Sequence, residues 1–401
     1  MSSLKLPFDI ILAVIDQVAY YDDISTLRSC SLLHHDLLSH CRKHLFRTFD
    51  MRTASPDTDR YLSKFNALLT SSPHLTQYIR VVHILYINDS ILEFKEWLFK
   101  RPFLVHFLRL LRNVEVFGLH FGFILNVSWD DIMIEPEVQC EIKRIITQPC
   151  CTQLALSGLV DIPRSLLNKC RFLKSLSMAS CSLGSLPETE IRYPSLRANF
   201  SLFFDFSSLR HLTVTLSPDT QESMWKLIHS TSRTLETLTL NQTYKELINS
   251  AFRTFFPFND GCLAKVSGTY QTLSPLSRLS RFSFSLIPHD LTGHSPLEHL
   301  AELCTLLRTS PEGVREICIK IDLFSSTTQD IQHLFFRNDD DNDNDNDDNL
   351  SHPAAATAPT ITTTTPFLQE LDTTLSSRSL FPRLTTVHLE ILLAEEYIQT
   401  S

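Results

Sequence analysis

The sequence predicts an α/β protein with two parts: a helical module over residues 4–49, then a body of short strands and helices that builds a parallel sheet. Two observations carry this. Apolar residues recur at helical spacing up to about residue 45. Beyond residue 60, three apolar residues at i, i+3 and i+5 return again and again, and the last two alternate with polar residues as a strand requires. With 401 residues, 43% of them hydrophobic, the chain can bury a sizeable core.

The first helix is expected over residues 4–20. Pro7 suits a helix start, and Asp9 complements the dipole of the first turn. Phe8, Ile11, Leu12, Ile15 and Val18 or Ala19 form one apolar stripe, and Ile10 and Val14 form a second. One stripe can face the module's own core; the other calls for a partner. Asp22 or Asp23 is placed to cap a second helix with Leu27 and Cys30 inward. Ser31 is placed to cap a third, carrying Leu32, Leu33, Leu37, Leu38, Cys41 and Leu45. The stretch Arg42 to Phe49 then leads into a linker at Ser55-Pro56.

The body covers residues 60–335. Its strand motif reads Ile79/Val82/Ile84, Leu111/Val114/Val116, Cys151/Leu154/Leu156, Leu173/Leu176/Met178, Leu209/Leu212/Val214, Leu235/Leu238/Leu240, Leu279/Phe282/Phe284 and Val314/Ile317/Ile319, with Leu384/Val387/Leu389 in a final repeat at 367–396. Helical patterns such as Thr220–Ser232 and Pro296–Thr309 lie between them. Short strand then helix, many times over, predicts an irregular leucine-rich-repeat solenoid, because each unit can bury its apolar face only against a neighbour. Leu173 to Leu183 fits the full repeat pattern, with Cys181 at the Asn/Cys position. The spacing of the others runs from about 22 to about 70 residues, against about 20–29 in regular repeats. A plain α/β domain with several strands is the alternative. Residues 338–366, opening with the Asp/Asn run and continuing rich in Ala, Thr and Pro, predict a disordered insertion.

Much of the net charge of −9 lies in Asp339 to Asp348, which leaves the body near neutral. A nucleic-acid partner would favour a basic face, so none is expected. Only 8 glycines occur, and no phosphate-cradling motif is present. The ten cysteines make no C-x-x-C pair and lie in apolar stretches, as buried reduced thiols do. The most apolar stretch, Phe103 to Val127, holds Arg109, Arg112 and Glu115, so no membrane span is expected, and the five N-x-[ST] sequons fit chance occurrence. His40 and His44 lie four apart on a helix, near His34, His35 and Cys41. Two ligands do not make a metal site, and no carboxylate or thiol at fitting spacing completes one. No H-E-x-x-H or G-x-S-x-G occurs, and the Asp/Asn run lacks the Gly and Glu of a calcium loop. No enzyme activity and no cofactor are expected.

Residues 4–49 resemble an F-box of the fungal type. The resemblance rests on Leu6-Pro7-Phe8-Asp9-Ile10-Ile11 with Ile15, on Leu27 to Leu33, and on His44 to Phe49. It implies a three-helix F-box that docks a Skp-type adaptor of a cullin–RING ubiquitin ligase, with the repeats holding an unknown protein substrate in the cytoplasm or nucleus. By position it assigns Leu6, Pro7, Ile10, Ile11, Ile15, Leu32 and Leu33 to the adaptor contact. The chain departs from the family at His34, where a cysteine is common, and at Leu37, where a tryptophan is common. If the strands line a concave face, Ser175, Ser177, His211, Thr213, Thr237, Thr239, Arg281 and Ser283 point at the substrate. Other classes consistent with the sequence are a repeat scaffold without a ligase role, a bland helical bundle, and a helix-turn-helix using Arg42, Lys43 and Arg47.

Overall fold

The computed structural model describes residues 7–21, 23–52, 57–86, 102–121, 127–132, 136–184, 206–216, 220–243, 273–287, 303–322 and 366–392. The chain is a mixed α/β protein with two compact units, residues 1–235 and 236–401. Of the expected insertion at 338–366, residues 338–365 lie outside the described residues, as do Leu6 and Ser55-Pro56, while Pro366 opens a helix.

The first unit opens with three helices, α1 (Phe8–Tyr20), α2 (Ile24–Leu33) and α3 (His35–Leu45). Pro7 is the residue before α1, extended at ψ 142°. Asp23 caps α2: its carboxylate accepts from the Thr26 amide and from the hydroxyls of Ser25 and Thr26. Those bonds hold its pKa down at about 2. Ser31 is not a cap. It lies inside α2, and its hydroxyl donates back to the Arg28 carbonyl. His34 starts α3 instead, its Nδ1 accepting from the Asp36 amide at 3.2 Å. Ile15, Leu27, Leu37 and Cys41 form the module's buried core, with Ile11, Leu12, Val18, Ala19, Cys30 and Leu45 packed around it.

A strand follows within three residues of α3. β1 (Thr48–Arg52) pairs in parallel with β2 (Val81–Tyr86), aligning Phe49 with Val82 and Met51 with Ile84. The expected module boundary at 49 therefore falls inside a strand. Phe46/Phe49/Met51 is another i, i+3, i+5 triplet, hidden in the sequence by its place in the module's exit. Helix α4 (Asp57–Ser71) covers β1: Phe65 stacks on Phe49 with ring centroids 4.5 Å apart. Phe107 from α5 (Pro102–Leu110) closes on the same ring at 4.4 Å.

β3 (Val116–Phe121) pairs with β2 and corrects the expected register. The inward residues are Phe117 and Leu119, which align with Val82 and Ile84, so the true triplet is Val114/Phe117/Leu119. β4 (Val127–Ser128) leads through α6 (Trp129–Ile132) toward α7 (Pro136–Ile146). Arg144 of α7 donates to the Leu108 and Leu111 carbonyls at 2.6 and 3.0 Å, satisfying groups left open where α5 ends. Then come β5 (Gln153–Ser157), β6 (Leu159–Val160), α8 (Arg164–Leu167), β7 (Ser175–Ala179), β8 (His211–Leu216) and α9 (Gln221–Ser230). β1, β2, β3, β5, β7 and β8 pair in chain order and all in parallel, while β4 and β6 pair separately.

The second unit holds β9 (Thr237–Thr243), β10 (Arg281–Ile287), β11 (Glu316–Asp322), helix α10 (Pro366–Ser376) and β12 (Thr386–Leu392). The described part of the helix expected at Pro296–Thr309 covers 303–308. The four strands are again parallel neighbours in chain order. In β12, Val387 and Leu389 are 42% and 45% exposed where their counterparts in β11, Ile317 and Ile319, are buried.

One backbone device recurs at strand entries in both units. A single carbonyl accepts from two successive amides of the next strand: Arg47 O from Arg80 and Val81 at 2.8 and 2.9 Å, Arg80 O from Glu115 and Val116, Thr152 O from Lys174 and Ser175, and Arg315 O from Thr385 and Thr386. The residue that opens the triplet is buried just ahead of the first three junctions, where Ile79, Val114 and Leu173 are all under 2% exposed, and Leu384, ahead of the last, is half-buried. The i position thus fills the turn into the strand, and i+3 and i+5 fill the strand's inner face. The sequence triplet therefore marks the entry and inner face of a strand.

Candidate functional site

Two surfaces stand out, one on the helices and one on the strands. Eight of the thirteen exposed large hydrophobic residues of the described chain lie between Phe8 and Leu33. α1 explains why. Its core-facing stripe is used up on Ile11, Leu12, Ile15 and Val18, while Ile10 and Val14 are left 47% and 56% exposed. At the far end of α2, Leu32 and Leu33 are 86% and 74% exposed. Pro7 is exposed, and Ile11 is half-buried. Of the residues assigned to an adaptor contact, Ile15 differs. At 2% exposure it is a core residue, because α1 turns it toward Leu27 and Cys41. Leu37 is likewise inside, at 6%. Phe8, Val14, Tyr20, Tyr21 and Ile24 are further exposed apolar residues, outside those assigned to the adaptor contact.

The strand face is built from the positions between the inward residues. Ser175 and Ser177 of β7 align with His211 and Thr213 of β8. In the second unit, Thr237 and Thr239 of β9 align with Arg281 and Ser283 of β10. All eight are exposed or half-buried, so each unit shows a polar sheet face. Arg281 is held by Glu316, its neighbour on β11, through Nε and Nη2 at 2.7 Å. In the first unit the face also carries a histidine pair. His120 Nε2 lies 3.3 Å from His83 Nδ1 over Gly118. A Cβ at Gly118 would collide with both rings, so a side chain there would require the histidines to move. Burial lowers the pKa of His120, and the nearby His83 lowers it further. The lone glycine within a strand pattern was the signal for this pair.

A third feature overturns one expectation. A carboxylate does complete the histidine pair of α3. Asp16 Oδ1, from α1, lies 2.6 Å from His40 Nε2 and 2.8 Å from His44 Nε2. The rings are 17% and 20% exposed, and their centroids stand 5.4 Å apart. Partial burial pushes the Asp16 carboxyl up, but the bonds from His44 and His40 outweigh it and hold its pKa below the usual range. His34, His35 and Asp36 form a second cluster, all exposed.

Three of the described cysteines are buried thiols without reactive chemistry of this kind. Burial pushes the thiols of Cys151, Cys170 and Cys181 up to about 12, so they stay protonated. Among the described residues no helix is long and apolar enough to cross a membrane. No protein-family description matches the chain, and no curated protein matches its sequence.

Proposed function

We propose that this chain is a non-catalytic, substrate-recruiting adaptor of a Skp/cullin/RING-type ubiquitin ligase. The helical module at the N-terminus acts as an F-box and docks a Skp-type adaptor. The body acts as an irregular leucine-rich-repeat solenoid, and the polar strand positions of each unit hold the target protein in the cytoplasm or nucleus. One observation carries this reading: α1 has a filled core stripe and a second apolar stripe open to solvent. A helical module does not need Ile10, Val14, Leu32 and Leu33 outside for its own stability, and exposed apolar surface of that kind marks a partner site.

The body supports the same reading. All-parallel sheets of doubly wound proteins are covered on both faces and read apolar throughout. Here, on β7 and β8 and on β9 and β10, the inward positions are apolar and the positions between them are mostly polar and accessible, with the paired strands in chain order. That combination fits stacked repeats with one face free for a ligand. A repeat scaffold without a ligase role is the second reading. It draws on His34 and Leu37, where the family's cysteine and tryptophan are replaced.

Co-expression with a Skp-type adaptor tests the reading. Wild type is expected to recover the adaptor in equal amounts, and Leu6→Ala/Pro7→Ala to recover less. No adaptor with wild type rules out the ligase role and leaves the scaffold. Equal recovery with the double variant moves the contact away from the start of α1.

A further inference from the structure

We propose that Asp16, His40 and His44 form a binding site for a zinc-class divalent metal ion, which clamps α1 to α3. The inference is independent of the adaptor reading. The two histidines lie four residues apart on α3 and so share one face of the helix. The helices bring up a carboxylate from 24 residues earlier in the chain, and all three ligand atoms lie within 4.8 Å of one another.

The donor set identifies the class of ion. Two imidazoles and one carboxylate leave a fourth tetrahedral position for water, an arrangement suited to Zn²⁺ or Co²⁺. Mg²⁺ and Ca²⁺ take oxygen ligands and are disfavoured. Bonds of about 2.0–2.1 Å around a tetrahedral ion set ligand atoms roughly 3.3 Å apart. The present separations to Asp16 Oδ1 of 2.6 and 2.8 Å need opening by about half an ångström. Asp16, 54% exposed, has room to move by that much, whereas the histidine rings are mostly packed in and already converge. The rival cluster at His34, His35 and Asp36 is wholly exposed and drawn from successive residues, so it joins no two helices.

The test is calorimetric titration of Zn²⁺ into the full chain after chelator treatment, with Co²⁺ absorption to report the ligands. Wild type is expected to bind one Zn²⁺ tightly, melt at a higher temperature with Zn²⁺ present, and give a tetrahedral Co²⁺ spectrum without thiolate charge transfer. His34→Gln/His35→Gln is expected to behave as wild type. His40→Gln/His44→Gln is expected to lose the site. Asp16→Asn, which keeps the side chain's shape, is expected to bind about 10-fold more weakly or worse, since even outer-shell changes cost about 10–100-fold. No binding by wild type overturns the proposal and leaves the three side chains as a hydrogen-bonded latch. So does unchanged affinity in Asp16→Asn, a thiolate band, or loss of binding in the His34/His35 control.

Discussion

Phe117→Ala is expected to destabilise the first unit by about 3–5 kcal/mol, the cost of removing a buried aromatic ring and leaving a cavity. Phe117 is fully buried on β3, between Val82 of β2 and Leu154 of β5. Strands fixed on both sides by backbone bonds cannot close over so large a void. Its chain neighbour Val116 is the control. Val116 is half-exposed on the polar face, so Val116→Ala is expected to cost about 1 kcal/mol or less. Denaturant unfolding of the two variants measures both. Equal costs would mean that the strand's register is the one that places Val116 inward.

Leu27→Ala is expected to unfold the helical module while the sheet stays intact. Leu27 is 1% exposed in a small core whose other buried members among the described residues are Ile15, Leu37 and Cys41. Truncating a buried leucine costs about 2–5 kcal/mol. A unit this small has little stability in reserve, so the loss is comparable to what holds the three helices together. Hydrogen exchange is the measurement. Amides of α1, α2 and α3 are expected to lose protection, and those of β2, β3 and β5 to keep it. Equal loss in the strands would show that helices and sheet open as one cooperative unit.

The body was legible in the sequence because its signal is local. The residue at i fills the turn and those at i+3 and i+5 fill the strand, so one triplet marks one strand. The triplet misled where apolar residues crowd. Leu111, Val114, Val116, Phe117 and Leu119 satisfy the spacing in two registers. The choice between them is made by Glu115 and Val116 donating to the Arg80 carbonyl, a contact from far along the chain. β1 was missed for the opposite reason: its triplet lay inside a stretch already assigned to the module. The helical face was half legible. Helical spacing separated the two stripes of α1, but motif matching placed Ile15 at the surface, and only packing against Leu27 and Cys41 shows it inside. The Asp16 cluster was out of reach. Two histidines four apart are a local pattern, whereas the carboxylate between them arrives through the packing of one helix against another.

Titrating a Skp-type adaptor into the purified full chain tests the central claim most directly. Wild type is expected to bind with one adaptor per chain. Ile10→Asp/Val14→Asp places two carboxylates on the exposed stripe without touching the core and is expected to weaken binding by about 100-fold or more, the scale of losing a central interface anchor. Thr239→Glu/Ser283→Glu, on the strand face of the second unit, is expected to leave adaptor affinity unchanged. Wild-type affinity in Ile10→Asp/Val14→Asp, or no binding by wild type, would contradict the assignment of that stripe to a ligase adaptor.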